Sequence, residues 1–165
     1  MKEVLQVADK YAKSIYLQLK SIASLYDIDF HLYLKSSGGF GELCMDWNEA
    51  DGYLLYGDER GERVSLFKTK DFDTFKYEVF LHLAFRMGLA YELKHRDLTY
   101  IRKNDDDLQG DTRKVAFEET VRFLKQMNPD WARQAAYHYA EYLNMWRTNK
   151  NVTYNFAAGR FEATE

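Results

Sequence analysis

The chain of 165 residues is poor in proline, cysteine and net charge, and each shortage excludes a class of protein. A single proline together with 16 % aromatic residues does not fit a disordered or linker-rich protein. The one cysteine, Cys44, cannot form an internal disulfide, and no apolar run approaches the length of a membrane span. The first residues lack the apolar core of a signal peptide, so we expect a folded protein of the cytosol.

The net charge of −3 argues against a general nucleic-acid binder, because such proteins carry a basic patch. The charge is nevertheless concentrated. Residues 41–62 contain seven carboxylates and only one cation, Arg60, which is a net charge of −6. Such a segment would repel phosphates and attract a basic protein partner.

The spacing of apolar residues predicts the order of helices and strands. A helical pattern covers residues 3–25. Short strand-like segments, separated by glycine-containing turns, follow at 31–35, 41–47, 52–57 and 63–69. Their short connections predict an antiparallel meander of three or four strands.

Three more helices are predicted from their capping residues. Asp71 is the expected N-cap of a long central helix that runs to about Leu98, and Asp111 or Thr112 opens the next helix. The pair Asn128-Pro129 then separates two helices, because asparagine caps and proline suits the first helical position. We therefore expect an α+β fold in one domain at 1–147, followed by an irregular tail at 148–165.

The central helix is apolar on all sides and yet densely charged. A helix of this kind is normally buried, so its charges must pair internally or form a site. One interpretation is a buried polar network that includes an i,i+4 pair between Glu92 and Arg96. The alternative is a small ligand- or metal-binding domain or an enzyme. Both interpretations concern the same cluster of charged residues: Glu78, His82, Arg86, Glu92, His95, Arg96 and His138. Of these, His82, Arg86 and His138 are expected to face inward.

Other catalytic and metal patterns are weak. Glu92 and His95 have the Glu-x-x-His spacing of carboxylate-bridged metal proteins, but those proteins need a second copy and two further glutamates. Cys44 lies in a predicted strand, and no serine lies in a nucleophile elbow. We therefore expect no metal, no cofactor and no catalytic residue.

Four strings of residues carry a family resemblance. They are Glu59-Arg60-Gly61, Asp71-Phe72-Asp73, Tyr91-Glu92-Leu93-Lys94-His95-Arg96 and Asn128-Pro129-Asp130-Trp131-Ala132. In this order, over about residues 41–145, they resemble immunity-protein family 63 of bacterial polymorphic toxin systems. The resemblance implies a cytosolic protein, not an enzyme, that binds and neutralises a cognate toxin domain. The acidic segment between Arg96 and Thr112 departs from the family pattern.

The predicted partner is thus a toxin domain, and neither nucleic acid nor a membrane is expected to bind directly. A nuclease would suit an acidic inhibitor, because nucleases often present basic clefts. Tyr53 and Tyr56 are the expected aromatic anchors, with carboxylates around them that steer the encounter. The predicted toxin-binding residues are Glu42, Asp46, Glu49, Asp51, Tyr53, Tyr56, Asp58, Glu59, Glu62, Asp105, Asp106 and Asp107.

Overall fold

The computed structural model describes residues 2–164, with the side chains of residues 2–7 and 40 outside the description. The predicted α+β class is confirmed, with its helices and strands in the predicted order. Contacts divide the chain into two compact units, residues 1–83 and 84–165. The elements are α1 (Lys2–Leu25), β1 (Tyr33–Leu34), β2 (Phe40–Asn48), β3 (Gly52–Glu59), β4 (Glu62–Thr69), α2 (Phe72–His95), α3 (Thr112–Met127), α4 (Pro129–Asn144), β5 (Val152–Asn155) and β6 (Arg160–Ala163).

The first unit contains a four-stranded sheet in the order β1-β2-β3-β4. Strands β2, β3 and β4 form the predicted antiparallel meander. Strand β1 differs, because it pairs parallel to β2 with Tyr33 opposite Cys44. A loop rather than a tight hairpin joins β1 to β2, and Gly38 and Gly39 adopt positive φ there, a conformation that glycine tolerates best. The sheet is therefore mixed.

Aromatic rings form much of the core of the first unit. The Tyr53 ring on β3 stacks on Phe75 of α2 at 5.1 Å between centroids, and Tyr11 of α1 packs edge-on against Trp47 of β2 at 4.6 Å. Full burial of a side chain such as Phe75 contributes about 1.5–3 kcal/mol. Asp71 caps α2 as predicted, since its carboxylate accepts from the Thr74 backbone N–H at 2.7 Å. Hydrogen bonds from the Thr74 hydroxyl and then from its N–H lower the pKa of Asp71.

Burial along α2 is uneven, unlike the all-round burial that its composition predicts. The first turns are largely covered, whereas three apolar residues near the end are exposed: Leu89, Tyr91 and Leu93. The helix also ends at His95 and not at Leu98. Asp97 explains this early end, because its carboxylate accepts hydrogen bonds from the backbone and hydroxyl of Thr99 and forms a turn.

Helices α3 and α4 organise the second unit, and both begin as predicted. Asp111 caps α3, and Asn128 caps α4 with Pro129 at its first position. The buried face of α4 differs from the predicted face of Trp131, Ala135, His138, Tyr142 and Met145. Its buried residues are Ala132, Ala135, Ala136, Tyr139 and Leu143.

Packing against α3 explains the rotated face of α4. The Tyr139 ring lies parallel to Phe117 at 4.0 Å, and small alanines on either side permit this close approach. Close packing also occurs between α2 and α3, where a Cβ added at Gly88 would lie 2.3 Å from the Ala116 carbonyl oxygen. Glycine is required at that contact.

The segment predicted to be an irregular tail contains an antiparallel two-stranded sheet, β5–β6. Val152 and Phe161 are buried, and the Asn144 side chain hydrogen-bonds both the N–H and the carbonyl of Val152. The Phe161 N–H donates to the Glu118 carboxylate at 2.8 Å. Four-residue strands are too short to produce a clear alternating pattern, so the sequence reading missed them. No described helix has the length and apolar character of a membrane span.

Candidate functional site

Asp58 does not project from the sheet, contrary to the sequence-based expectation. Its side chain lies in the loop before β2, where Ser36 Oγ and the Ser37 N–H donate to Oδ2 at 2.7 and 2.8 Å. The Gly39 N–H adds a third hydrogen bond at 3.3 Å. These donors lower the pKa of Asp58, with the Ser36 hydroxyl as the largest cause. The serine- and glycine-rich loop therefore binds an internal carboxylate.

Two other predicted contact residues, one on β2 and one in the β2–β3 turn, have cationic neighbours on β4. Arg63 Nη1 lies 3.5 Å from the Asp46 carboxylate, and Lys68 Nζ lies 3.1 Å from Asp51. The hydrogen bond from Lys68 is the main reason why the pKa of Asp51 is lowered. Both cations lie just beyond the acidic segment 41–62, so the sheet is less negative than that segment suggests. Of its carboxylate residues, Glu42 is half-buried, and the exposed ones are Glu49, Glu59 and Glu62.

The predicted aromatic anchors are core residues. Tyr53 and Tyr56 are buried, and burial raises the pKa of each to about 12. The Tyr56 hydroxyl donates to the Lys35 carbonyl at 2.6 Å, and the Tyr53 hydroxyl pairs with that of Tyr11 at 2.9 Å. Their role as surface anchors is therefore corrected. Large aromatic residues on a covered sheet serve packing first.

The charged cluster of the central helix is mostly exposed. Glu92 is buried and holds Arg96 through two hydrogen bonds, at 2.6 and 2.7 Å, which is the predicted i,i+4 pair. This bond raises the pKa of Arg96. Arg86 and His138 are exposed, so the expectation that they face inward is wrong. His95 is also exposed, with its ring stacked on Tyr91.

The remaining cluster members, Glu78 and His82, lie in the first unit and are half-buried. Burial lowers the pKa of His82. Within the described residues there is no group of three or more His, Cys, Asp or Glu side chains arranged to hold a metal ion. Three other members of the cluster, Glu92, His95 and Arg96, line a common cavity near the end of α2.

The segment between α2 and α3, here called the 97–111 loop, has no helix or strand but is extensively hydrogen-bonded. Asp107 organises it, because its carboxylate accepts from the Tyr100 hydroxyl at 2.9 Å and from the Lys103 and Gly110 N–H groups at 3.0 and 3.2 Å. These bonds lower the pKa of Asp107, with the Lys103 N–H first. The loop is an ordered element rather than a loose connection.

Two residues that follow α4 also form hydrogen bonds with the 97–111 loop. Arg147 Nη2 donates to the Asp106 carbonyl, and the Asn149 N–H donates to the Asp106 carboxylate at 3.1 Å. Arg147 is buried, and its Nε and Nη1 have no hydrogen-bond partner in the described part of the chain. Asp106 and Asp107 are thus engaged within the molecule. Asp105 is the exposed member of the acidic triplet, with Arg102 Nη2 3.7 Å from its carboxylate.

Apolar side chains project from this braced loop. Leu98 and Ile101 are 88 % and 85 % exposed, and Leu93 at the end of α2 is 65 % exposed. Leu98 also lines a cavity of about 360 Å³ between the end of α2, the 97–111 loop and the start of α3. Its charged lining residues, apart from His95, are Glu92, Arg96, Asp97 and Asp111. We call Leu93, Leu98, Ile101 and this cavity the loop surface.

Residues 49–141 match the family model described as Immunity protein 63. The chain belongs to this immunity-protein family. The match confirms the family resemblance and covers all of β3, β4, α2 and α3, and most of α4. It includes the 97–111 loop, although that loop departs from the family pattern expected at the sequence level. No curated protein and no solved structure matches the chain.

The sequence reading of this immunity protein missed Leu98, Ile101 and Arg147. Leucine and isoleucine in a charged segment are ordinarily expected to turn toward a core. Only the hydrogen bonds of Asp107 and Arg147 reveal that the loop is held with these residues outward. The length of the loop could have indicated a functional region, because long ordered loops without helix or strand are often functional.

Proposed function

We propose that this immunity protein neutralises a cognate toxin domain by forming a stoichiometric complex with it. The family match over residues 49–141 is the observation that carries this proposal. In this account the protein acts in the cytosol as a binding partner and not as an enzyme. It blocks the toxin's active site or a surface beside it.

The preformed surfaces of the protein support inhibition by binding. A surface that is ordered before association loses less conformational freedom when the complex forms, which favours tight binding. The 97–111 loop has this property, since Asp107 and Arg147 hold it through hydrogen bonds to its backbone. Exposed carboxylates in the β2–β3 turn, at Glu49, and on the β3–β4 hairpin, at Glu59 and Glu62, would add electrostatic steering toward a basic toxin. A nuclease domain fits this description.

Calorimetry combined with an activity assay tests the proposal. The partner is the toxin domain encoded beside this gene, titrated at low and at moderate salt. We expect one-to-one binding, and toxin activity that falls to zero at one equivalent of immunity protein. Complete inhibition at a small fraction of one equivalent would indicate turnover and an enzyme. A folded and active toxin domain that neither binds nor is inhibited would overturn the proposal.

A further inference from the structure

The loop surface exposes more apolar area than solubility requires. Leu98 and Ile101 are the most exposed large apolar residues in the described part of the chain. Leu89 and Leu93, one helical turn apart near the end of α2, are also exposed. Single exposed apolar residues are ordinary, but two of the most exposed ones, three positions apart in one hydrogen-bonded loop, suit an interaction site.

The exposure of these side chains is built into the loop. Asp97 closes the turn that carries Leu98, through hydrogen bonds from the N–H and hydroxyl of Thr99 at 2.8 and 2.6 Å. Tyr100 and Lys103, on either side of Ile101, are both fixed to Asp107. Turning Leu98 and Ile101 inward would break these hydrogen bonds and leave their donors and acceptors without partners, which is costly.

The charge of the loop indicates what covers it. Residues 97–111 contain five aspartates against Arg102 and Lys103, a net charge of −3. At the cavity, Arg96 pairs with Glu92 and Arg113 pairs with Asp111. Asp97 is the lining carboxylate for which the structure shows no guanidinium partner among the described residues. A complementary surface would be apolar at its centre and cationic at its edge.

We propose that the loop surface is where this immunity protein contacts its toxin, with Leu98 and Ile101 as the apolar anchors. The occupant is a patch of the toxin domain with an apolar depression for these side chains. Lysine or arginine side chains of the toxin border that depression and meet Asp97 and Asp105. This inference rests on the proposed function, because it names the surface through which that function acts.

Two pairs of substitutions, measured by calorimetry against the toxin domain, test the proposal. The first protein carries Leu98→Asp with Ile101→Asp. Its matched control carries Leu17→Asp with Leu25→Asp on α1, where both leucines are also exposed. We expect the loop variant to bind at least about 100-fold more weakly, as loss of central anchors does, and the control to stay within about threefold of the unmodified protein.

A second variant keeps the apolar anchors and removes charge. Asp97→Asn with Asp105→Asn should weaken binding by about three- to tenfold at low salt and flatten its salt dependence. All variants should unfold at similar temperatures, because the altered side chains are exposed.

The outcomes separate this inference from the proposed function. If the unmodified protein binds and the loop variant binds within about threefold of it, the loop surface is not the contact and toxin neutralisation stands. Equal losses in the loop variant and its control would also overturn the assignment. If the unmodified protein does not bind an active toxin domain, the proposed function itself fails.

Discussion

The sheet of the first unit and the 97–111 loop of the second both contain dense carboxylates, and they use them in the same way. In each, an aspartate accepts hydrogen bonds from nearby backbone N–H groups: Asp58 from Ser37 and Gly39, and Asp107 from Lys103 and Gly110. The difference lies in the neighbouring apolar residues. On the sheet, Tyr53 and Tyr56 pack inward, whereas on the loop Leu98 and Ile101 point outward.

This comparison shows that acidic residues do not by themselves mark a binding surface. A carboxylate that folds a loop lies inside the structure even when its segment is strongly negative. What distinguishes the two regions is whether the large apolar side chains are buried or exposed, because burial of apolar surface is the main favourable term in most protein association. The exposed aliphatic residues therefore favour the loop as the contact region.

Replacing Asp58 by alanine should have the largest effect on stability. Ser36, Ser37 and Gly39 would lose their shared acceptor, and the half-buried N–H groups of Ser37 and Gly39 are costly to leave without a partner. We expect the thermal midpoint to fall by several degrees, measured by circular dichroism. Glu59→Ala is the matched control, since Glu59 is the next residue and is exposed, and it should leave the midpoint unchanged.

The Asp58 effect should also depend on pH. The pKa of Asp58 is lower in the folded protein than in the unfolded chain, so its stabilisation is present above about pH 4 and is lost as the pH falls below that value. The difference in unfolding free energy between the unmodified protein and Asp58→Asn should therefore narrow from about pH 5 to about pH 3, around the usual carboxyl pKa. Urea denaturation midpoints measure this difference. A constant gap would contradict this account.

The corresponding change in the loop is Asp107→Asn, with Asp105→Asn as its control. Both remove one charge, but only Asp107 accepts from Lys103, Gly110 and Tyr100. We expect faster amide hydrogen exchange at Lys103 and Gly110 in the Asp107 variant, and binding weakened by about tenfold through loss of preorganisation. If the two variants show the same amide exchange and the same affinity, charge rather than loop order determines binding.

A smaller effect separates packing from binding on the sheet. Tyr56→Phe removes the hydroxyl that donates to the Lys35 carbonyl, and should cost about 1 kcal/mol in the free energy of unfolding. Because Tyr56 is buried, toxin affinity should not change. Urea denaturation and calorimetry on the same variant give both values. A loss of affinity larger than the loss of stability would restore Tyr56 as a contact residue.

The smallest effect is expected from the exposed sheet carboxylates. Glu59→Gln with Glu62→Gln removes two charges that lie opposite each other across the β3–β4 hairpin. If these carboxylates steer the toxin without touching it, their loss should slow association by about two- to threefold at low salt and leave dissociation unchanged. Stopped-flow kinetics measure both rates. A faster dissociation rate would mean that the hairpin touches the toxin.

Features decided by neighbouring residues were predictable from the sequence. The N-caps Asp71, Asp111 and Asn128, the β2–β3–β4 meander and the Glu92–Arg96 pair all depend on residues a few positions apart. Their geometry follows from local hydrogen bonding, which composition and spacing reveal. The helix order and the family resemblance followed from the same kind of information.

Features decided by distant residues were not predictable. Asp58 is covered by residues 36–39, which precede it by some twenty positions, and Asp106 is held by Arg147, which follows it by 41. The face of α4 depends on Phe117 of another helix. In each case the side chain's partner is set by tertiary packing, so a count of charges along the chain could not separate surface from interior.

Amide hydrogen exchange of the immunity protein, with and without its toxin domain, tests the central claim most directly. The account predicts that toxin binding slows exchange in the 97–111 loop and in the last turns of α2, with little change in β2, β3 and β4. Slower exchange confined to the sheet, with the loop unchanged, would contradict it and return the contact surface to the acidic meander.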